Sequence, residues 1–221
     1  MSDRRLILFD FDGTLADTFP EIAFALNTTR FDYGWSKASD ESIRKWIGYG
    51  LAHFMESAIP EAHRAAVSQV EFTARYKDHY RDLAFDRARL FDGIEAVLDA
   101  VADDVLAVVS NKSIEQLEPM VEQLGIRDRF AAVVGGNSIG ECKPSPAVYH
   151  HVLEQVDGAS QLQGWMIGDS EPDVEFGKNS GLRTIGCAWG LRTREELQRC
   201  SPDHLVTKPS ELVGLLKRPP A

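Results

Sequence analysis

Four apolar residues, Leu6-Ile7-Leu8-Phe9, run without interruption into Asp10-Phe11-Asp12-Gly13-Thr14. An apolar stretch of this length that stops near a glycine predicts a strand buried on both faces, its carboxyl end opening onto the next loop. In an open α/β sheet, ligands bind at that end of the strands. Two carboxylates two residues apart repel each other there unless a cation or phosphate chemistry calls for them. A plain acidic Asp-Gly turn is the alternative reading of this segment taken alone.

The same kind of run recurs at Arg5–Phe9, Val105–Val109, Ala131–Val134, Gly164–Ile167, Thr184–Cys187 and His204–Val206. Helical periodicity lies between most of them, at Ile94–Ala102, Ile114–Gln123, Ala147–Gln155, Val174–Asn179 and Glu195–Arg199. Strand alternating with helix predicts an α/β fold with a parallel sheet covered on both faces. Right-handed crossovers then bring the carboxyl ends of all the strands to one edge.

Residues 16–84 break the alternation. They show helical patterns at Phe19–Tyr33, Glu41–Ile47, Leu51–Ser57 and Glu61–Arg81, with no convincing strand among them. The expected organisation is a core of residues 1–15 and 85–221 with a helical cap of residues 16–84 inserted after the first strand. The Gly48-Tyr49-Gly50 turn is expected to project from that cap, and the Lys217–Ala221 tail to fray.

A chain of 221 residues with 43 % hydrophobic and 26 % charged residues is of ordinary globular composition. Its formal net charge of −10 argues against a general nucleic-acid or membrane-surface binder, since both need a positive face. Cys142, Cys187 and Cys200 are scattered and not at metal-ligand spacing, so they read as free thiols of a reducing compartment. Asp10 and Asp12 interrupt any signal-peptide core, and no apolar run reaches membrane-spanning length. A cytoplasmic monomer or homodimer is the expectation.

Each strand end carries distinctive groups: Asp10, Asp12 and Thr14; then Ser110-Asn111-Lys112; then Lys143-Pro144; then Asp169-Ser170, with Asp173 one helical turn on. Such a set suits phosphoryl transfer through an aspartyl phosphate. Asp10 would attack phosphorus, and Asp12 would protonate the leaving oxygen and later accept a proton from water, its pKa raised by partial burial and by the charge of Asp10. Ser110 and Lys143 would hold phosphoryl oxygens. Asp10, Asp169 and the backbone carbonyl of Asp12 would hold Mg²⁺, with Asp173 touching the metal or one of its waters. Singly, these residues read more plainly: Ser110-Asn111 as a helix cap, Lys143 as a loop lysine, Asp169 and Asp173 as a helix N-terminal pair.

Taken together, Asp10-Phe-Asp12-Gly-Thr14-Leu-Ala-Asp17-Thr18, Ser110-Asn111, Lys143-Pro144 and Gly168-Asp169-Ser-Glu-Pro-Asp173 resemble the four motifs of the haloacid dehalogenase superfamily, over essentially the whole chain. The later Cys187-Ala-Trp-Gly190 and Pro202-Asp-His-Leu-Val-Thr resemble its phosphoglycolate phosphatase-like branch. The resemblance implies a Rossmann-like core, an α-helical cap, and Mg²⁺-dependent hydrolysis of a small phosphorylated metabolite. Dehalogenating members lack the second acid of the first motif, which this chain has in Asp12. Phosphonate-cleaving members use a cap lysine, and Lys37, Lys45 and Lys77 offer no clear counterpart.

The cap is expected to choose the substrate, with Arg44, Gly48, Tyr49, Gly50 and His53 as candidate contacts and Arg44 suited to a carboxylate. Arg44 as a solvated surface base, and Tyr49 as a packing residue, are the plainer readings. Thr14 and Asn111 are expected to support the phosphoryl end, Asn111 by hydrogen bonds to phosphate or to its loop. Trp35, Trp46 and Trp165 read as packing residues. Two other functions fit the same groups: a phosphosugar mutase resembling β-phosphoglucomutase, and a phospho-accepting signalling module resembling a receiver domain. Receiver domains are shorter and carry no such insert.

Overall fold

The computed structural model describes residues 4–83 and 86–217. Strand β1 (Leu6–Phe9) is followed by a two-residue strand β2 (Ala16–Asp17). Four helices come next: α1 (Phe19–Asp32), α2 (Asp40–Trp46), α3 (Leu51–Ala58) and α4 (Gln69–Asp82). Strand β3 (Arg89–Leu90) closes this insert by pairing antiparallel with β2. The alternating part then runs α5 (Ile94–Ala100), β4 (Val105–Val109), α6 (Ile114–Gln123), β5 (Ala132–Val134), α7 (Ala147–Gln155), β6 (Gly164–Gly168), α8 (Glu171–Asn179), β7 (Arg183–Cys187), α9 (Arg194–Arg199), β8 (His204–Val206) and α10 (Pro209–Leu216).

Six strands form one parallel sheet in the order β5-β4-β1-β6-β7-β8. The chain winds outward from β1 to β4 and β5, then crosses back and winds the other way through β6, β7 and β8. That reversal opens a crevice at the carboxyl ends of β1 and its two neighbours, the expected ligand position in such a sheet. All four β1 residues are fully buried. Alternation sends Ile7 and Phe9 to one face and Leu6 and Leu8 to the other, and helices cover both. Burying each of these side chains contributes roughly 1.5–3 kcal/mol, which makes the central strand a stable base for the acids that follow it.

The face holding Ile7 and Phe9 belongs to one apolar cluster that continues into the insert through Ile43, Phe54, Met55, Phe72, Tyr76 and Tyr80. The helical insert is therefore seated on the sheet's own core.

Three differences from the sequence reading stand out. The ribbon of β2 and β3 puts a strand at Ala16–Asp17, where only helix was expected; two residues are too few to show a period. Helix α8 begins at Glu171, because the Asp173 side chain accepts from the Ser170 backbone N–H at 3.0 Å and secures the first turn. Helix α10 was not expected, although Pro209 stands at its start. The second cap boundary, at residues 84 and 85, and the tail beyond Lys217 lie outside the described residues.

Candidate active site

Three adjacent strands deliver the floor of a single cleft. Strand β1 hands over Asp10 and Asp12, β4 hands over Ser110, Asn111 and Lys112, and β6 hands over Asp169. Together with Lys143, and with Gly48 and Gly50 between α2 and α3, they line one cleft. The turn after Asp12 needs glycine: Gly13 has φ +88°, and a Cβ there would meet Asp169 Oδ2 at 2.2 Å.

Lys143 is pinned at the base. Its ammonium donates to Asp10 Oδ1 at 2.7 Å, Asp173 Oδ1 at 2.7 Å and the Val109 carbonyl at 2.6 Å. Burial works against that charge, but Asp10 and Asp173 outweigh it and hold the lysine above its ordinary pKa. The side chain of Asn111 braces the same residue: Oδ1 accepts from Lys143 N–H at 2.8 Å, while Nδ2 donates to the Lys143 carbonyl at 2.9 Å. The same Nδ2 also donates to the Gly48 carbonyl at 2.8 Å, tying the cap turn to the floor.

Asp10, Asp169 and Asp173 bring one carboxylate oxygen each within 4.8 Å of one another. Three buried carboxylates against one ammonium leave negative charge unmatched. Burial above all, aided by repulsion from Asp173 and Asp12 and opposed by Lys143, pushes Asp10 from 3.8 up to about 7. Burial, then Asp10 and Asp173, raise Asp169 well above the usual carboxylate range. Asp169 Oδ2 accepts from the Leu191 N–H, but its Oδ1 is buried with no hydrogen-bond partner. An orphaned oxygen among three buried carboxylates that one ammonium does not neutralise fits a hard divalent cation. Asp173 is differently employed: Oδ1 faces Lys143, and Oδ2 accepts from the backbone N–H and hydroxyl of Ser170. Its observed work is orienting Lys143 and starting α8.

Asp12 lies apart from that cluster. Its carboxylate accepts from Thr18 Oγ1 at 2.5 Å and from Lys112 Nζ at 3.0 and 3.3 Å. Thr18 is the N-cap residue of α1, so the side chain of Asp12 is held by the residue that leads into the cap's first helix. The two acids of the first loop thus point to different partners, Asp10 to Lys143 and Asp12 to Lys112. This is the separation of roles that a nucleophile and a proton carrier require.

Not every residue singled out from the sequence reaches the cleft. Arg44 stacks its guanidinium on the Phe19 ring at 3.9 Å and points Nη1 towards the Gly190 carbonyl at 3.5 Å, in a separate crevice. The expected carboxylate contact of Arg44 is corrected on that ground. Tyr49 also faces away, donating its hydroxyl to Glu171 Oε2 at 2.9 Å, and the His53 ring lies against it. Asn111 spends both its amide donors on backbone carbonyls and so braces the loop in place of holding phosphate. Thr14 is buried behind Asp10, with Oγ1 at 3.5 Å from Asp10 Oδ2. Lys45 is exposed and paired with Glu41 at 2.7 Å.

Two residues without an assigned role prove central. Lys112, two positions after Ser110, is the partner of Asp12, and its nearness to Ser110 was the available signal. Arg192 donates to the carbonyls of Arg44, Lys45 and Ile47, the last at 2.7 Å, and so caps the end of α2 from the core. Nothing local marks Arg192, since its partners lie about 145 residues earlier in the chain.

The fold and site define an α/β protein with a buried cluster of acids and a lysine at the switch point of a doubly wound sheet, roofed by a helical insert. The chain belongs to the haloacid dehalogenase-like hydrolase family, which matches residues 7–187. It is 32 % identical over 230 residues to a phosphoglycolate phosphatase of Psychrobacter arcticus, covering 99 % of each chain. A phosphoglycolate phosphatase of Aquifex aeolicus is likewise 32 % identical, over 96 % of each. Among solved structures, that of a predicted phosphoglycolate phosphatase from Haemophilus somnus superposes with a TM-score of 0.88 at 25 % identity, covering 98 % of this chain and 100 % of the other. The protein is a phosphoric monoester hydrolase, phosphoglycolate phosphatase-like in sequence and fold.

Proposed function

We propose that the protein is a Mg²⁺-dependent phosphatase that hydrolyses a small phosphate monoester of the phosphoglycolate type by transient phosphorylation of Asp10. The observation that carries this reading is the divided first loop: Asp10 sits within the acid cluster against Lys143, while Asp12 faces the same cleft on its own lysine. Asp10 Oδ attacks phosphorus, and the bond from phosphorus to the ester oxygen breaks. Asp12 gives its proton to the departing alkoxide. Water then attacks phosphorus, Asp12 takes its proton, and the bond from phosphorus to Asp10 breaks, freeing inorganic phosphate. The Ser110 hydroxyl donates to a phosphoryl oxygen, and the Lys143 ammonium, held against Asp10, stabilises both steps as a fixed positive charge.

Asp10 and Asp169, with the backbone carbonyl of Asp12, would hold Mg²⁺. That ion supplies positive charge against the phosphoryl oxygens and the crowded carboxylates. The apolar cap walls Ile47, Leu51 and Phe54 keep bulk water from the leaving group. The test is phosphate release from 2-phosphoglycolate by the full chain with Mg²⁺, then with chelator, then with Mg²⁺ restored. Reversible loss with the chelator is expected. Release that persists without a divalent ion removes the metal from this reading. An isomerised hexose phosphate as the main product, in place of inorganic phosphate, would replace the hydrolase assignment with a mutase.

A further inference from the structure

We propose that Lys112 determines substrate choice by receiving a carboxylate carried on the leaving group; the inference rests on the phosphatase reading above. Two ammonium groups line the cleft among the described residues, Lys143 and Lys112. Lys143 already donates to three acceptors, the full complement of an ammonium group, and all three belong to the phosphoryl floor. Lys112 is arranged otherwise. Its Nζ meets a single carboxylate, that of Asp12, and lies 4.8 Å from the centre of the Tyr80 ring. The side chain is only 5 % exposed and borders the cleft; its charge is held against Asp12 and is felt by the buried carboxylate of Glu21, not spent on solvent.

The surroundings of Lys112 sharpen the argument. Ser113 and Gln116 lie beside it on the cleft wall, and Ile22, Ile47, Leu51 and Phe54 are among the apolar side chains of the rest, with Tyr76. An anionic substituent entering this half loses its water and gains nothing from the apolar walls, so it is stable only against a cation. The guanidinium of Arg44 is stacked on Phe19 outside the cleft, and that of Arg192 is taken by three carbonyls. Lys112 also fixes how long the substrate can be. It touches Asp12, the group that protonates the ester oxygen, so a substituent reaching Lys112 lies within a carbon or two of that oxygen. A phosphorylated short hydroxy acid meets this condition.

The experiment compares kcat/KM for 2-phosphoglycolate and for 2-hydroxyethyl phosphate, a neutral ester of similar size, in the parent and in Lys112→Met. Any effect passing through Asp12 falls on both esters alike; recognition of the carboxylate separates them. The parent is expected to prefer 2-phosphoglycolate. Lys112→Met is expected to shrink that preference by about 10–100-fold, the size of one charge-assisted hydrogen bond, with partial recovery in Lys112→Arg. Gln116→Glu, on the half-exposed wall of α6, sets a repelling charge beside the same position. It is expected to raise KM for 2-phosphoglycolate alone, and it decides the matter if Lys112→Met does not fold. Equal turnover of both esters by the parent overturns the proposal but leaves the phosphatase standing, as does a preference unchanged in the variants. If the parent releases phosphate from neither ester nor from p-nitrophenyl phosphate, the phosphatase reading falls and this inference with it.

Discussion

The floor and the roof of the cleft are built on opposite plans. The floor comes from the ends of three neighbouring strands whose spacing the sheet fixes, and most of its polar groups are paired with one another, Lys143 with Asp10 and Asp173 and Asn111 with the Lys143 peptide, while Asp169 Oδ1 is left without a partner. The roof comes from helices and glycine turns seated on the core through apolar side chains, and its polar ties to the floor are few, chiefly Arg192 on the end of α2 and Asn111 on Gly48. A charged group on the floor cannot move without unpairing a buried charge, whereas the roof is held mainly by non-directional apolar packing. Chemistry common to all phosphate esters belongs on the first, and discrimination between leaving groups belongs where the two meet, at Lys112.

The largest expected effect sharpens this contrast at the floor. Asp10→Asn should lower turnover by about 10⁴-fold or more, since the amide offers no nucleophile. No phospho-protein should appear by intact mass, and a substantial residual rate would remove Asp10 from its role. Asp12→Asn comes next, with a loss of about 10²–10⁴-fold. Its signature is different: the phosphorylated form should accumulate during turnover, because water loses its base. Failure to trap it would break the division of labour between the two acids.

At the roof the effects are smaller. Arg192→Ala leaves the carbonyls at the end of α2 without their donor, at a cost of about 1–3 kcal/mol in stability. Faster amide exchange confined to α2 and the Gly48 turn should accompany a raised KM. Global destabilisation with unchanged exchange there would show that the guanidinium does not hold the cap. The smallest effect is one of pH. Asp10 titrates near 3.8 when unfolded and is pushed to about 7 in the fold, so the metal-free native state binds the extra proton across that interval. The contribution of Asp10 to the stability of the metal-free protein is therefore fully present below about pH 4 and is lost as pH rises towards 7. Mg²⁺ should abolish the decline, as seen in thermal melts at several pH values. A melting temperature that rises over the interval without metal would contradict the charge crowding.

The sheet was legible in the sequence because each of its strands is a local signal. Leu6–Phe9 and Val105–Val109 are apolar without a break, and the acids and serine that follow them must then emerge at one edge. The helical character of the insert was legible for the same reason, from periodicity. Arg44 shows where such reading stops. Its type suits a carboxylate, but the ring of Phe19 and the carbonyl of Gly190 occupy it, and the latter lies 146 residues further along the chain. The ribbon of β2 and β3 escaped because two residues carry no period.

The succession of strands along the chain, the acids at their ends and the kind of chemistry they can perform were determined by the sequence itself, since burial and periodicity act over a few neighbouring residues. Which lysine faces which acid was decided only by the tertiary structure. Lys143 lies 133 residues from Asp10, and Lys112 lies 100 from Asp12. Pairings over such separations are set by the winding of the chain about the sheet and the seating of the insert, and no local pattern encodes them.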